Sequence, residues 1–304
     1  GRRRIQEPGL NHRPIMSFLK ILFSGSVLAL NTLLVSLLML PWALLKLLLP
    51  FTVVRKLCDR MLAATAALWI SVNDWWVRVV NGGRIEVSGI ESLDPRGWYL
   101  VLCNHQSWVD IIAMQQVFNG RIPFLKFFIK HELIYVPVIG LSWWALDFPF
   151  MRRRADTVEQ DLEAARKACE KFRQTPTSVM NFLEGTRFSP ETHAEQKSPY
   201  RHLLKPKGAG IGVVLEHLAD KFTQVLDVTI AYPDGVPSFI DVMAGRMGRV
   251  QLHVRALPVP DTLQPPAGQS LSPMAVQRWV MQLWKQKDAQ LERMLHPGAD
   301  QPGA

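Results

Sequence analysis

The chain has 304 residues, 48% of them hydrophobic and 20% charged, with a formal net charge of +9. That length can bury a sizeable core and implies one α/β domain with an appendage. The positive charge calls for an anionic partner, and ten tryptophans without a DNA- or RNA-binding motif make that partner a membrane rather than a nucleic acid. Cys58, Cys103 and Cys169 lie far apart in the chain; the spacing fits neither a metal site nor a disulfide framework and suits a reducing cytosolic face.

Residues 1–15 lack a starting methionine and read as a possible appended or disordered extension, with Met16 the working start. Residues 21–40 carry no charge, and a helix of that length spans about 30 Å, enough for a bilayer core. Basic residues stand on both sides (Arg13 and Lys20; Lys46, Arg55, Lys56 and Arg60), so the positive-inside rule chooses no orientation. A single crossing and a monotopic hairpin both fit. Residues 53–80 are interrupted by Asp59, Ser71, Asn73 and Asp74 and end among Trp69, Trp75 and Trp76, the pattern of an interfacial amphipathic helix. Residues 16–80 are therefore expected to anchor the chain in a membrane.

Asn81-Gly82-Gly83 is a turn signal and opens the unit expected over residues 81–296. Residues 84–89 alternate as a first strand, residues 98–103 form a short apolar second strand, and residues 122–129 a third. The second strand ends at Asn104-His105, and from Trp108 the apolar spacing turns helical. A histidine thus stands where a strand hands over to a helix, a place where α/β folds put ligands. Asp110, from the first helical turn, can reach back to the imidazole, fix its tautomer and stabilise its protonated form. None of the other seven histidines has an aspartate at this offset.

Further along, residues 157–172 repeat apolar positions at helical spacing after the capping box Asp156-Thr-Val-Glu159. Residues 177–183 form the next strand and deliver Glu184-Gly185-Thr186-Arg187 at its end. Arginine offers a planar donor fork suited to a phosphate monoester. A polar loop over residues 188–202 leads to Leu204-Lys205-Pro-Lys207-Gly, where lysines precede a glycine-rich helix running to Leu218, a possible anion site by charge and dipole together. Residues 225–233 form a further strand and residues 248–255 an edge strand, with His253 structural. Ser272-Pro273 caps a last amphipathic helix to Leu295, and residues 297–304 are a frayed tail.

The blocks N-H-x4-D at residues 104–110 and F-x-E-G-T-R at residues 182–187 resemble the lysophosphatidic acid (1-acylglycerol-3-phosphate) acyltransferases among the glycerolipid acyltransferases. Lys130-His-Glu132-Leu133 with Pro137 and Gly140 matches a third block of that family. Phe148-Pro-Phe150-Met-Arg-Arg153 and the run Asp-Val-Thr-Ile-Ala-Tyr232-Pro233 resemble its lysocardiolipin-type branch. The resemblance covers roughly residues 85–233.

It implies a mixed, largely parallel α/β sheet flanked by helices, of the glycerol-3-phosphate acyltransferase-like kind, behind an N-terminal membrane-anchoring helical segment. It further implies transfer of a fatty acyl chain from acyl-CoA or acyl carrier protein to the free hydroxyl of a lysophospholipid. Lysophosphatidate is the first choice, lysocardiolipin or lysophosphatidylglycerol the alternative. His105 would be the general base and Asp110 its partner. Arg187, Thr186, Gly185, Glu184, Arg153 and Lys130 would bind the substrate phosphate, with Lys205 and Lys207 as further anion ligands. Glu184 would hold the arginine or the incoming glycerol, and backbone N–H groups at the strand–helix junction would hold the oxyanion. No metal or cofactor is implied. The expected setting is a membrane, a bacterial inner membrane, with the catalytic domain facing the cytosol. Two readings of another class remain: a serine hydrolase using Ser107 with His105, and a lipid-binding protein without chemistry.

Overall fold

The computed structural model describes residues 12–49, 51–83, 85–152, 157–264 and 270–297. Two long helices come first: α1 (His12–Leu48), continuous through Pro41, and α2 (Thr52–Asn81). They pack along one another, and α2 stops where Gly82 turns left-handed at φ 73°, a conformation that costs glycine little.

The chain then runs through β1 (Ile85–Ser88), β2 (Tyr99–Cys103), α3 (Val109–Phe118), β3 (Leu125–Phe127), β4 (Ile129–Lys130), a 3-10 turn (His131–Tyr135), α4 (Ile139–Ala145), β5 (Phe150–Met151) and α5 (Val158–Phe172). After these come β6 (Ser178–Phe182), α6 (Pro190–Gln196), α7 (Ala209–Leu218), β7 (Gln224–Ala231), α8 (Phe239–Met243), β8 (Val250–Leu257) and α9 (Pro273–Leu295). The main sheet has the order β1-β8-β7-β2-β6-β3, and β4 pairs with β5 apart from it. Among the described residues only the β7–β8 pairing is antiparallel. The expected mixed, largely parallel sheet between helices is what the chain forms.

Every residue of β2 is buried, because helices cover both faces of the sheet at its centre. Leu100 and Leu102 face a core shared with α5, α7 and α9, including Phe172, Leu215, Val280 and Trp284. Tyr99, Val101 and Cys103 face the other, with Trp76 and Val77 of α2 and Met114 of α3. Within the first layer Asp227 of β7, fully buried, meets Lys287 Nζ of α9 at 2.6 Å and also pairs with Arg255 of β8. A charge this deep requires partners, and this pairing fastens α9 to the sheet.

Several expectations need correcting. Alternation over residues 248–255 predicts an edge strand; β8 instead lies between β1 and β7, and it alternates because its outer face is only half covered. The single strand expected over residues 122–129 is split, β3 staying in the main sheet while β4 leaves to pair with β5. Within the polar stretch 188–202, α6 forms behind Ser189, whose hydroxyl accepts the Thr192 N–H at 3.1 Å with Pro190 following. That is the same Ser-Pro signal recognised at α9. The cap proposed at Asp156 lies outside the described residues.

The first helix is held to the domain along its length. Ser24 Oγ donates to Met243 O at 2.9 Å, Ser36 Oγ lies 2.9 Å from Ser142 Oγ, and Lys46 Nζ donates to Ala145 O at 3.0 Å. Its far side leaves Leu30, Leu34, Leu37 and Leu38 exposed.

Candidate active site

The site is built where β2 runs out. Asn104, wholly buried, donates to Ile230 O at 2.9 Å and accepts the Ile230 N–H at 2.9 Å. Its amide thus imitates one more ladder pair with β7 and fixes where the chain departs. The next residue is His105, whose ring stacks on Phe182 of β6 at 3.9 Å between centroids. Nδ1 lies 2.8 Å from Asp110 Oδ2.

Asp110 is fully buried. Besides the imidazole, its Oδ2 accepts Gln106 N–H at 2.6 Å and Ser107 N–H at 2.9 Å, and its Oδ1 accepts the Tyr232 hydroxyl. Burial first, and then the Asp110 charge, push the Tyr232 phenol well above its ordinary range, so it remains a donor. With a pure acceptor opposite Nδ1, that nitrogen carries the proton and Nε2 offers its lone pair. Nε2 takes no hydrogen bond among the described residues, and the side chain keeps 15% of its surface open.

Glu184 departs from expectation. Its two oxygens accept the His105 N–H at 2.6 Å and the Leu204 N–H at 2.8 Å, and the residue is buried. It is a bracket between two backbone segments, and among the described residues neither oxygen pairs with an arginine. The oxyanion donors expected at the junction are committed too: the N–H groups of His105, Gln106 and Ser107 serve Glu184 and Asp110. Ser107 is no free nucleophile, since its hydroxyl is buried and donates to Pro237 O at 2.7 Å.

The other candidates sort by position. Gly185 adopts φ 70°, and a Cβ there would come within 3.2 Å of Lys207 Nζ, so the Lys207 side chain lies across the glycine. Thr186 and Arg187 are exposed, and the Arg187 guanidinium sits 5.4 Å from the centroid of Trp108, three residues past His105. The Lys207 N–H donates to Leu183 O at 2.7 Å. Lys205 is exposed on the same segment, its N–H bonded to Gln196 Oε1 at 3.0 Å. Arg187, Lys205 and Lys207 thus belong to the loops around His105. Lys130 lies on β4, exposed, 3.8 Å from Glu132. Arg153 lies outside the described residues.

Sequence reasoning missed Tyr232, Phe182 and Trp108 as parts of this site. Tyr232 and Phe182 reach it only through the pairing of β7 and β6 with β2, which spacing along the chain does not carry.

A profile of the Acyltransferase family matches residues 84–232. The chain is 25% identical over 268 residues to the human (Homo sapiens) 1-acyl-sn-glycerol-3-phosphate acyltransferase delta, covering 80% of this chain and 65% of that protein. It is 27% identical over 244 residues to the Arabidopsis thaliana 1-acyl-sn-glycerol-3-phosphate acyltransferase 3, covering 74% and 62% respectively. It therefore spans less than two thirds of these relatives' lengths. The crystal structure of the 1-acyl-sn-glycerophosphate acyltransferase PlsC from Thermotoga maritima superposes with a TM-score of 0.59 at 19% identity, covering 92% of this chain and 98% of that one. This likeness establishes the fold.

Burial pushes the Glu184 carboxyl up from 4.5 to about 8, against the downward pull of its two N–H donors. The folded chain then binds this proton more tightly than the unfolded one, so the stability Glu184 contributes is complete below pH 4.5 and lost as pH rises through about 8. Glu184→Gln should flatten the fall of Tm between roughly pH 5 and 9, measured by thermal unfolding in detergent. A variant curve running parallel to that of the unaltered protein would show that another group titrates.

Proposed function

This chain belongs to the acyltransferase family, and from that premise we propose that it is a membrane-associated 1-acylglycerol-3-phosphate O-acyltransferase. It moves a fatty acyl chain from acyl-CoA or acyl carrier protein to the free hydroxyl of lysophosphatidate. The observation that carries this reading is the histidine with one nitrogen on a fully buried aspartate and the other open. The acceptor hydroxyl gives its proton to Nε2 as its oxygen attacks the thioester carbonyl. The C–S bond then breaks, and the imidazolium returns the proton to the leaving thiolate. Asp110 keeps the ring oriented and compensates its charge in the protonated state. Arg187 takes the acceptor phosphate, with Lys207 and Lys205 adding positive charge at the same mouth. The related proteins named for 1-acylglycerol-3-phosphate support this acceptor over lysocardiolipin and lysophosphatidylglycerol.

The anchor is read as monotopic. Contacts of α1 with the domain run from Ser24 to Lys46, 22 residues or about 33 Å of helix. A helix bound to the domain over that length lies beside it, offering its exposed leucines to one leaflet instead of leaving the domain to cross. The domain then faces the cytosol, where thioester donors are found, and the membrane is a bacterial inner membrane. Thiols introduced at Ser189 and Gln196 should label only from the cytosolic side. Labelling from outside intact cells would reverse the orientation.

His105→Ala should lower acyl transfer about 10²–10⁴-fold while leaving membrane binding intact, in an assay of purified protein with a thioester donor and a panel of lysolipids. Turnover above a tenth of the original would remove the base from His105. Charged hydrogen bonds contribute roughly 1.5–3 kcal/mol, so Arg187→Ala should raise the acceptor KM about 10- to 100-fold and leave the donor KM in place. Arg187→Lys recovers only part, because an ammonium lacks the planar fork. A rise in the donor KM alone would assign Arg187 to the donor's phosphates.

A further inference from the structure

The helix α9 lies beyond the residues matched by the family profile, yet it grips one short backbone segment beside the site. Trp284 Nε1 donates to Leu204 O at 2.9 Å, both groups buried. The two oxygens of Asp288 accept the N–H groups of Arg201 at 2.9 Å and His202 at 2.8 Å. These residues are four apart and so share one helix face. The atoms they engage are main-chain groups, so what they fix is the path of residues 201–204 and not merely apolar contact.

Leu204 is clamped from both sides. Its carbonyl is held by Trp284, and its N–H goes to Glu184 Oε1 at 2.8 Å. The second oxygen of that carboxylate holds the His105 N–H at 2.6 Å. Three consecutive hydrogen bonds thus run from α9 to the backbone of the residue whose imidazole meets Asp110.

We infer that α9 is a positioning element of the active site: Trp284 and Asp288 set the height of Leu204, and Glu184 passes that setting to His105. Trp284 and Asp288 touch no reacting atom; they act through the bracket. The inference rests on the role proposed for His105, but the mechanical link exists whatever the reaction. Losing the indole N–H leaves the Leu204 carbonyl buried without a partner. The segment then relaxes, Glu184 loses one of its two donors, and the His105 backbone is held from one side less.

Trp284→Phe keeps most of the ring volume and removes only the donor. It should lower kcat about 10-fold, the scale expected when a catalytic group is misplaced by a fraction of an ångström, and change either KM by less than about 2-fold. Combined with Glu184→Gln, its further cost should fall below about 3-fold, because both changes break the same chain of bonds. Hydrogen exchange of the intact protein in detergent should show faster exchange in residues 101–108 as well as 199–206, with α1 and β1 unchanged. Asp288→Asn, at a half-exposed position, should give the same pattern more weakly and serves if Trp284→Phe fails to fold. An unchanged kcat, a change confined to KM, fully multiplicative losses, or exchange that rises in 199–206 alone would each overturn the inference. If the unaltered protein transfers no acyl group, the proposed function fails, while the exchange experiment still decides whether α9 controls the His105 segment.

Discussion

The site depends on a carboxylate from which water is excluded. Stripping water from Asp110 carries a penalty of several kcal/mol, and the protein offsets it with four donors: an imidazole, a phenol and two successive N–H groups of the chain just before α3. Each donor comes with a structural demand. The N–H pair requires the tight turn between β2 and α3, the phenol requires β7 to lie beside β2 in register, and the imidazole requires a surface to lean on, which Phe182 of β6 provides. Three neighbouring strands are tied to one side chain. Removing any donor leaves an oxygen of a buried charge less compensated, which is why this corner of the fold has so little freedom.

Glu184 solves a different problem by the same physics. Its carboxyl lies at the end of β6, where the regular repeats of helix and strand have both ended and backbone N–H groups have no ladder to join. By accepting from His105 and Leu204 it stands in for a missing strand pair. One carboxyl group orients the ring and the other holds the backbone beneath it. This division leaves Arg187, Lys205 and Lys207 exposed, and it gives the Glu-Gly-Thr-Arg run a buried bracket and a left-handed glycine before its exposed arginine.

Much of this was legible in the sequence, and the boundary has a physical cause. His105 and Asp110 are five residues apart, so a strand-to-helix turn suffices to bring them together, and local pattern reveals both. The helix α9 announced itself by its Ser-Pro cap and apolar stripe. By contrast Tyr232 is 122 residues from Asp110, and only the strand order places it there. The bracket made by Glu184 is hidden from the sequence for a related reason: a carboxyl between strand and arginine shows its backbone partners, His105 and Leu204, only once its neighbours across the sheet are known. The place of β8 was misread because alternation reports one covered face, not the number of hydrogen-bonded neighbours.

The two long helices bear on the same corner from the other side. Trp76 of α2 is fully buried against the core that also holds Met114 of α3, and its indole N–H donates to Ser24 of α1 at 2.8 Å. Ser24 in turn donates to Met243 of α8, a few residues beyond the Pro237 carbonyl that takes the Ser107 hydroxyl. The anchor is therefore not a tether joined to a separate catalytic body. Its inner face completes the core under α3, so α1 and the His105 segment are held together as one body. If the acceptor is the lysolipid proposed above, held in a leaflet by its own acyl chain, that rigid joint has a clear consequence. The protein would then not need to lift the lipid out of the bilayer; it would need only to hold Nε2 at the height where the acceptor hydroxyl lies.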